Sequence, residues 1–196
     1  MYDEELYDEE IGADGEPHIP YQGLYDWMQS IVLTFLAFLF VLTFVGKMIG
    51  VQQDSMTPTL LDGDRMIVRS VLYTPRRGDM IIFSKQNFED GAALVKRVVA
   101  LSGDVVDINT DTGVVYVNGL PQHEPFTNTP TNDPGDIRYP FTVPEGHVFV
   151  LGDNRNGSRD SRHSEIGSVD EREILGQVMA VILPLSRAEL FWGSPY

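Results

Sequence analysis

From residue 51 onward the sequence predicts a mostly β fold, an antiparallel sheet or barrel-like core, and three observations predict it. Short runs rich in branched and aromatic residues recur at 65–69 (RMIVR), 79–83 (DMIIF), 95–101 (VKRVVAL), 105–108 (VVDI) and 114–117 (VVYV), the composition that suits a pleated surface. Turn signals separate them: Asp62-Gly63-Asp64, Pro75 to Gly78, Ser102-Gly103-Asp104, Asp111 to Gly113 and Asn118-Gly119. The intervals are too short for crossover helices, so the strands must connect as hairpins rather than as βαβ units.

The 196 residues suit one such domain with an anchor and a tail. Residues 1–22 form the tail. Nine acids and no Lys or Arg fall within residues 1–26, and Gly12, Gly15, Pro17 and Pro20 interrupt the tail. Too little apolar surface is available there to offset the entropy of ordering, which predicts a disordered acidic segment. Residues 23–50 are the predicted anchor. The stretch 28–45 carries no charge, and 24–50 holds only Asp26 and Lys47. About 20 helical residues cover a ~30 Å hydrocarbon layer, so this stretch is long enough to span one. A cleaved secretory leader would show a basic start and a small-residue cleavage site, and a buried soluble helix would show polar residues at helical spacing. Neither pattern is present. Tyr25 and Trp27 suit the headgroup level. Lys47, Arg65 and Arg69 lie beyond the span and no base precedes it, so positive-inside counting would place the C-terminal part in the cytoplasm.

Residues 51–196 make the β domain. Residues 121–144 contain six prolines with Asn, Thr and Asp and predict a long irregular loop. Residues 148–151 and 177–183 read as two further buried strands. Between them Ser168 to Glu171 has the form of a capping box, opening a short helix that stops at Gly176.

Composition excludes several kinds of chemistry. Cysteine is absent, which removes disulfides, a thiol nucleophile and zinc–thiolate sites. The net charge of −15 is largely a property of the tail, the rest holding 20 acids against 14 bases. Such a surface offers no basic face for nucleic acid. His18, His123, His147 and His163 have no ligand partner at metal-site spacing. Phosphate-binding glycine loops and a Gly-x-Ser-x-Gly elbow are also missing from the sequence.

Ser55 remains as a nucleophile, in Asp54-Ser-Met-Thr-Pro-Thr-Leu60 just past the predicted span. A serine hydroxyl is weak until a base takes its proton. Lys96 lies inside the otherwise apolar run Ala92 to Leu101, where burial would disfavour the ammonium and lower its pKa. Alternation equally admits a strand-edge lysine turned to solvent, with Arg97 on the opposite face. Ser55 on its own reads as a turn former.

Four boxes taken together resemble the bacterial type I signal peptidase family. They are Ser55-Met56-Thr57-Pro58-Thr59-Leu60; Arg77-Gly78-Asp79; Lys96-Arg97 followed by Gly103-Asp104; and Gly152-Asp153-Asn154 with Ser158, Asp160, Ser161 and Arg162. The resemblance covers residues 24–183. It implies an antiparallel β core with a smaller inserted β region at about 104–146. It also implies a Ser/Lys serine protease in which Ser55 is acylated and Lys96 is the general base. Ser158 then matches the serine that orients the lysine, Asp160 and Arg162 an ion pair holding the last loop, and Arg97 and Asp153 further structural partners. Met56, Leu60 and Val95 match the lining of a shallow pocket for small side chains. The Ser55 backbone N–H would meet the oxyanion. Family members usually carry Ser or Gly two residues before the nucleophile, whereas this chain has Gln53, whose amide would either donate to the oxyanion or crowd the site.

The implied substrates are exported preproteins with small residues at the −1 and −3 positions, met at membrane lipid, with no cofactor and no metal. The implied topology is a single pass with the N-terminus cytoplasmic and the catalytic part outside, opposite to the charge count. Three alternatives stand beside this reading. A Ser/Lys self-cleaving repressor-type peptidase would be soluble and carry a DNA-binding domain. The Ser/His/Asp relatives would have histidine where Lys96 stands. A catalytically inactive membrane-tethered β module would bind signal peptides or a partner protein.

Overall fold

The computed structural model describes residues 22–44, 47–50, 54–71, 73–86, 88 and 91–191, with side chains for all of these except 22 and 40–48. Residues 1–21 of the predicted tail, and Gln53, lie outside the described residues.

Helix α1 (Gln22–Phe44) occupies most of the predicted anchor. Its 23 residues correspond to about 34 Å at ~1.5 Å per residue. Apolar side chains from Leu24 to Leu39 are exposed. The hydroxyls of Ser30 and Thr34 donate back to the carbonyls of Asp26 and Ser30, so the helix satisfies them internally. Among the described residues, which include side chains only as far as Leu39 in this helix, no helix is long and apolar enough to cross a membrane. The helix as far as Leu42 falls in a first unit, and Thr43–Tyr196 form a second.

The second unit is antiparallel β throughout its described pairings. Its strands are β1 (Lys47–Gly50), β2 (Arg65–Arg69), β3 (Met80–Ser84), β4 (Ala93–Ala100), β5 (Val105–Asn109), β6 (Val114–Val117), β7 (Leu120–Pro121), β8 (Phe141–Thr142), β9 (His147–Leu151), β10 (Val169–Asp170), β11 (Ile174–Leu183) and β12 (Glu189–Leu190). The larger sheet runs β1-β2-β11-β3-β4-β9-β10, with β12 on β11; the smaller runs β7-β6-β5-β8. Among the described residues the pairing of the larger sheet is an open path, not a closed barrel. The short strands follow the branched runs of the sequence, and the glycines of the turns take positive φ, Gly63, Gly78, Gly103 and Gly113 among them. Asn118 and Gly119 both have positive φ and join β6 to β7 as a two-residue hairpin.

Two expectations need correction. The capping box is Asp170 with Glu173, not Ser168 with Glu171, and it opens a single 3-10 turn (Glu171–Glu173). Ser168 cannot cap there because Val169 and Asp170 are already paired to β9. Beyond the turn the chain is β11, which starts at Ile174 and continues through Gly176.

Strand β4 positions the site. It pairs with β3 on one side and β9 on the other, and both its faces are covered. Leu94 and Val98 pack into one apolar cluster with Ile81, Phe83, Val148 and Val150. Val95 borders a second, built from Met56, Leu60, Met66, Val68, Met80, Ile82, Val178 and Val181. Burial on both sides explains why the run 96–100 is buried without interruption.

Candidate active site

Ser55 sits in a 3-10 turn (Asp54–Met56), and Lys96 on β4 opposite Ile81. Period-two alternation puts Lys96 on the same face as Leu94 and Val98. Its side chain is therefore 1% exposed, not turned to solvent as alternation also allowed. Lys96 Nζ lies 2.7 Å from Ser55 Oγ and donates to the Val95 carbonyl at 3.0 Å. Ser55 is itself 9% exposed.

The nucleophile turn is held from the opposite end of the chain. Asn154 donates its backbone N–H to the Ser55 carbonyl (3.1 Å) and its side-chain amide to the Asp54 carbonyl (3.2 Å). Gly152 makes that approach possible. A Cβ at this position would come within 2.5 Å of the Ser55 carbonyl oxygen and 2.2 Å of Ser158 Oγ, closer than real Cβ atoms come.

Two buried ion pairs fix the segments on either side. Arg97 reaches Asp153 with both Nε (2.8 Å) and Nη2 (2.6 Å), donates to the Gly78 carbonyl, and lies 4.0 Å from the centre of the Phe126 ring. Thr59 Oγ1 donates to the same Asp153 carboxylate at 2.6 Å. Arg162 and Asp160, both fully buried, form a second two-pronged pair at 2.8 and 2.9 Å. Burial works against the charged Asp160 carboxylate. Hydrogen bonds from Arg162, the arginine's charge, the Gly152 amide and Ser158 outweigh it and hold the carboxyl below its usual range. The Ser158 hydroxyl faces this carboxylate and, at 3.5 Å, the Arg159 carbonyl.

A cavity of about 240 Å³ opens beside the pair, lined by Asp54, Ser55, Phe88, Leu94, Lys96, Gly157 and Arg159. Its apolar walls, Phe88 and Leu94, were missed from the sequence, although Leu94 shares the face of Lys96 two residues earlier. Met56 and Leu60 lie in the apolar core, 1% and 0% exposed, with Val95 packed against that core; none of the three is among the residues lining the cavity. Among the described residues no cluster of His, Cys, Asp or Glu is arranged to hold a metal ion.

A protein-family model described as signal peptidase, peptidase S26, matches residues 24–183. The chain belongs to that family. Among signal peptidase relatives it is 35% identical to "Probable signal peptidase I-1" of Synechocystis sp., over 89% of this chain and 88% of that protein. It is 33% identical to "Signal peptidase I" of Bacillus licheniformis, over 83% and 90%. A crystal structure of a signal peptidase I from Enterococcus faecalis aligns with a TM-score of 0.45 and 29% identity, covering 54% of this chain and 97% of that one.

Proposed function

We propose that this chain is a membrane-bound serine endopeptidase that removes signal peptides from exported preproteins, with Ser55 as nucleophile and Lys96 as general base. The 2.7 Å contact between two buried side chains, Lys96 Nζ and Ser55 Oγ, carries the reading. Away from water the ammonium form loses its main stabilisation, which favours the neutral amine that a base must be.

The reaction then balances without a cofactor. The Ser55 Oγ–carbonyl bond forms as the hydroxyl proton passes to Lys96 Nζ. The scissile C–N bond breaks as Nζ returns that proton to the departing amine. A water deprotonated by Lys96 hydrolyses the acyl-enzyme. The Ser55 N–H meets the oxyanion, with the Gln53 amide as a second candidate donor. Small substrate side chains enter the cavity beside Ser55, and Met56, Leu60 and Val95 support the site from the apolar core. Asp153, Arg97, Asp160 and Arg162 hold the surrounding segments, and Ser158 orients the lysine.

The test is cleavage, in detergent micelles, of a preprotein with Ala at −1 and −3, by wild type, Ser55→Ala and Lys96→Ala. Cut sites are read by mass spectrometry. Cleavage after the −1 Ala by wild type alone is expected. Turnover by Lys96→Ala would sink the dyad, and a folded but inert wild type would favour the binding module.

In this reading the apolar stretch of residues 23–50 is the anchor, and the catalytic part lies outside the cytoplasm. Because the chain has no cysteine, a single Asp111→Cys in the exposed β5–β6 turn reports the side directly. A membrane-impermeant maleimide should label it in intact cells. Labelling only after lysis would reverse the orientation.

A further inference from the structure

The proline-rich segment between β7 and β8 bears on the nucleophile through one buried arginine. Arg155, 1% exposed, begins the 3-10 turn that follows Gly152-Asp153-Asn154. Its guanidinium grips both oxygens of Glu124, at 2.5 and 2.6 Å, and donates to Thr131 Oγ1 at 2.8 Å. Its Nε donates to the Gly152 carbonyl at 3.1 Å. Gly152 is the close-approach residue beneath Ser55, and Asn154, one residue before the arginine, holds the Ser55 and Asp54 carbonyls. Two residues after Glu124, Phe126 stacks on Arg97, the neighbour of Lys96 in sequence.

We infer that Glu124 is a positioning residue for the Ser55/Lys96 pair, acting through Arg155 on the Gly152–Asn154 segment. The inference rests on the reading of Ser55 and Lys96 given above. A guanidinium that is 1% exposed cannot stay in place without its carboxylate, because an uncompensated buried charge is strongly destabilising. Once Glu124 is neutral, Arg155 leaves for water, the Gly152 carbonyl loses its donor, and the segment that clamps the nucleophile turn loosens. The cavity beside Ser55 shares this segment in part: Phe88 and Leu94 line it from elsewhere in the fold, while Gly157 ends the turn that Arg155 begins. The limiting rate of the chemical step therefore falls, whatever the accompanying change in substrate binding.

Single-turnover cleavage with enzyme in saturating excess measures this, because its limiting rate does not depend on the fraction of enzyme that is folded. Glu124→Gln should lower the limiting rate by about 10–100-fold, the scale of a sub-ångström to 1 Å misplacement. Arg155→Met should do the same, and the double variant should lose no more than Arg155→Met alone. Arg172→Gln, which breaks the surface pair with Asp170, is the control and should keep the wild-type rate. A wild-type limiting rate in Glu124→Gln overturns the inference, as does strict additivity in the double variant. If Glu124→Gln fails to fold, Glu124→Asp keeps the charge but shortens its reach. It should also show the reduced rate, and a wild-type rate there overturns the inference equally. Ser55→Ala runs in parallel: cleavage by that variant, or none by wild type, removes the underlying reading and this inference with it.

Discussion

Lys96 and Arg97 are consecutive, yet β4 sends one toward Ser55 and the other toward Asp153. Each change of side chain at this level has its own signature. Lys96→Met keeps length and apolar volume while deleting the amine, so turnover should vanish while Tm holds or rises, since burying a polar group costs stability that an apolar isostere does not. Thermal unfolding beside an activity assay checks both halves. Because the base must be neutral, wild-type activity should fall as pH is lowered; a rate independent of pH down to about 5 would argue against a lysine base. Gly152→Ala forces a methyl against the Ser55 carbonyl oxygen and the Ser158 side chain. It should cost at least ~10-fold in kcat together with ~1–3 kcal/mol of stability from overpacking, read by kinetics and by denaturant unfolding.

At the level of elements, the sequence showed which runs would be strands more clearly than what their side chains would touch. β2, β5 and β6 follow branched runs between turn signals and were legible. β1 and β12 are short edge strands with no such composition and were not. The burial of Lys96 was hidden for a physical reason. Alternation distinguishes faces only when one is wet, and β4 is covered on both. The Glu124–Arg155 contact was equally hidden. Its partners are 31 residues apart, and an ion pair at that separation leaves no periodic trace. The loop from Gly152 to Arg162 contains its own pH response. Asp160 has a carboxyl held below its unfolded value, so its contribution is present above about pH 4–5 and is lost as pH falls through the lower folded value. Asp160→Asn leaves Arg162 buried beside a neutral partner and should cost ~3–5 kcal/mol near pH 7. Denaturant unfolding from pH 7 to pH 3 should show the gap to wild type narrowing toward acid. A gap that stays constant would assign the loss to packing instead.

For the molecule as a whole, the β unit holds its apolar clusters within itself. A fragment of residues 43–196 should therefore fold alone, with cooperative unfolding and the limiting single-turnover rate of the full chain, and differ mainly in how readily it meets membrane-embedded substrate. Aggregation in place of cooperative unfolding would mean that the first unit contributes to the fold.

The contacts around Ser55 also set an order in time. Lys96 follows the serine by 41 residues, but the asparagine that braces its turn follows Asp54 by 100. At ~5–20 residues per second, roughly 5–20 s of synthesis separate the two ends of that brace. During that interval the nascent chain exposes a serine whose turn lacks its clamp. The Ser55 turn is therefore complete only once the segment around Asn154 has been made.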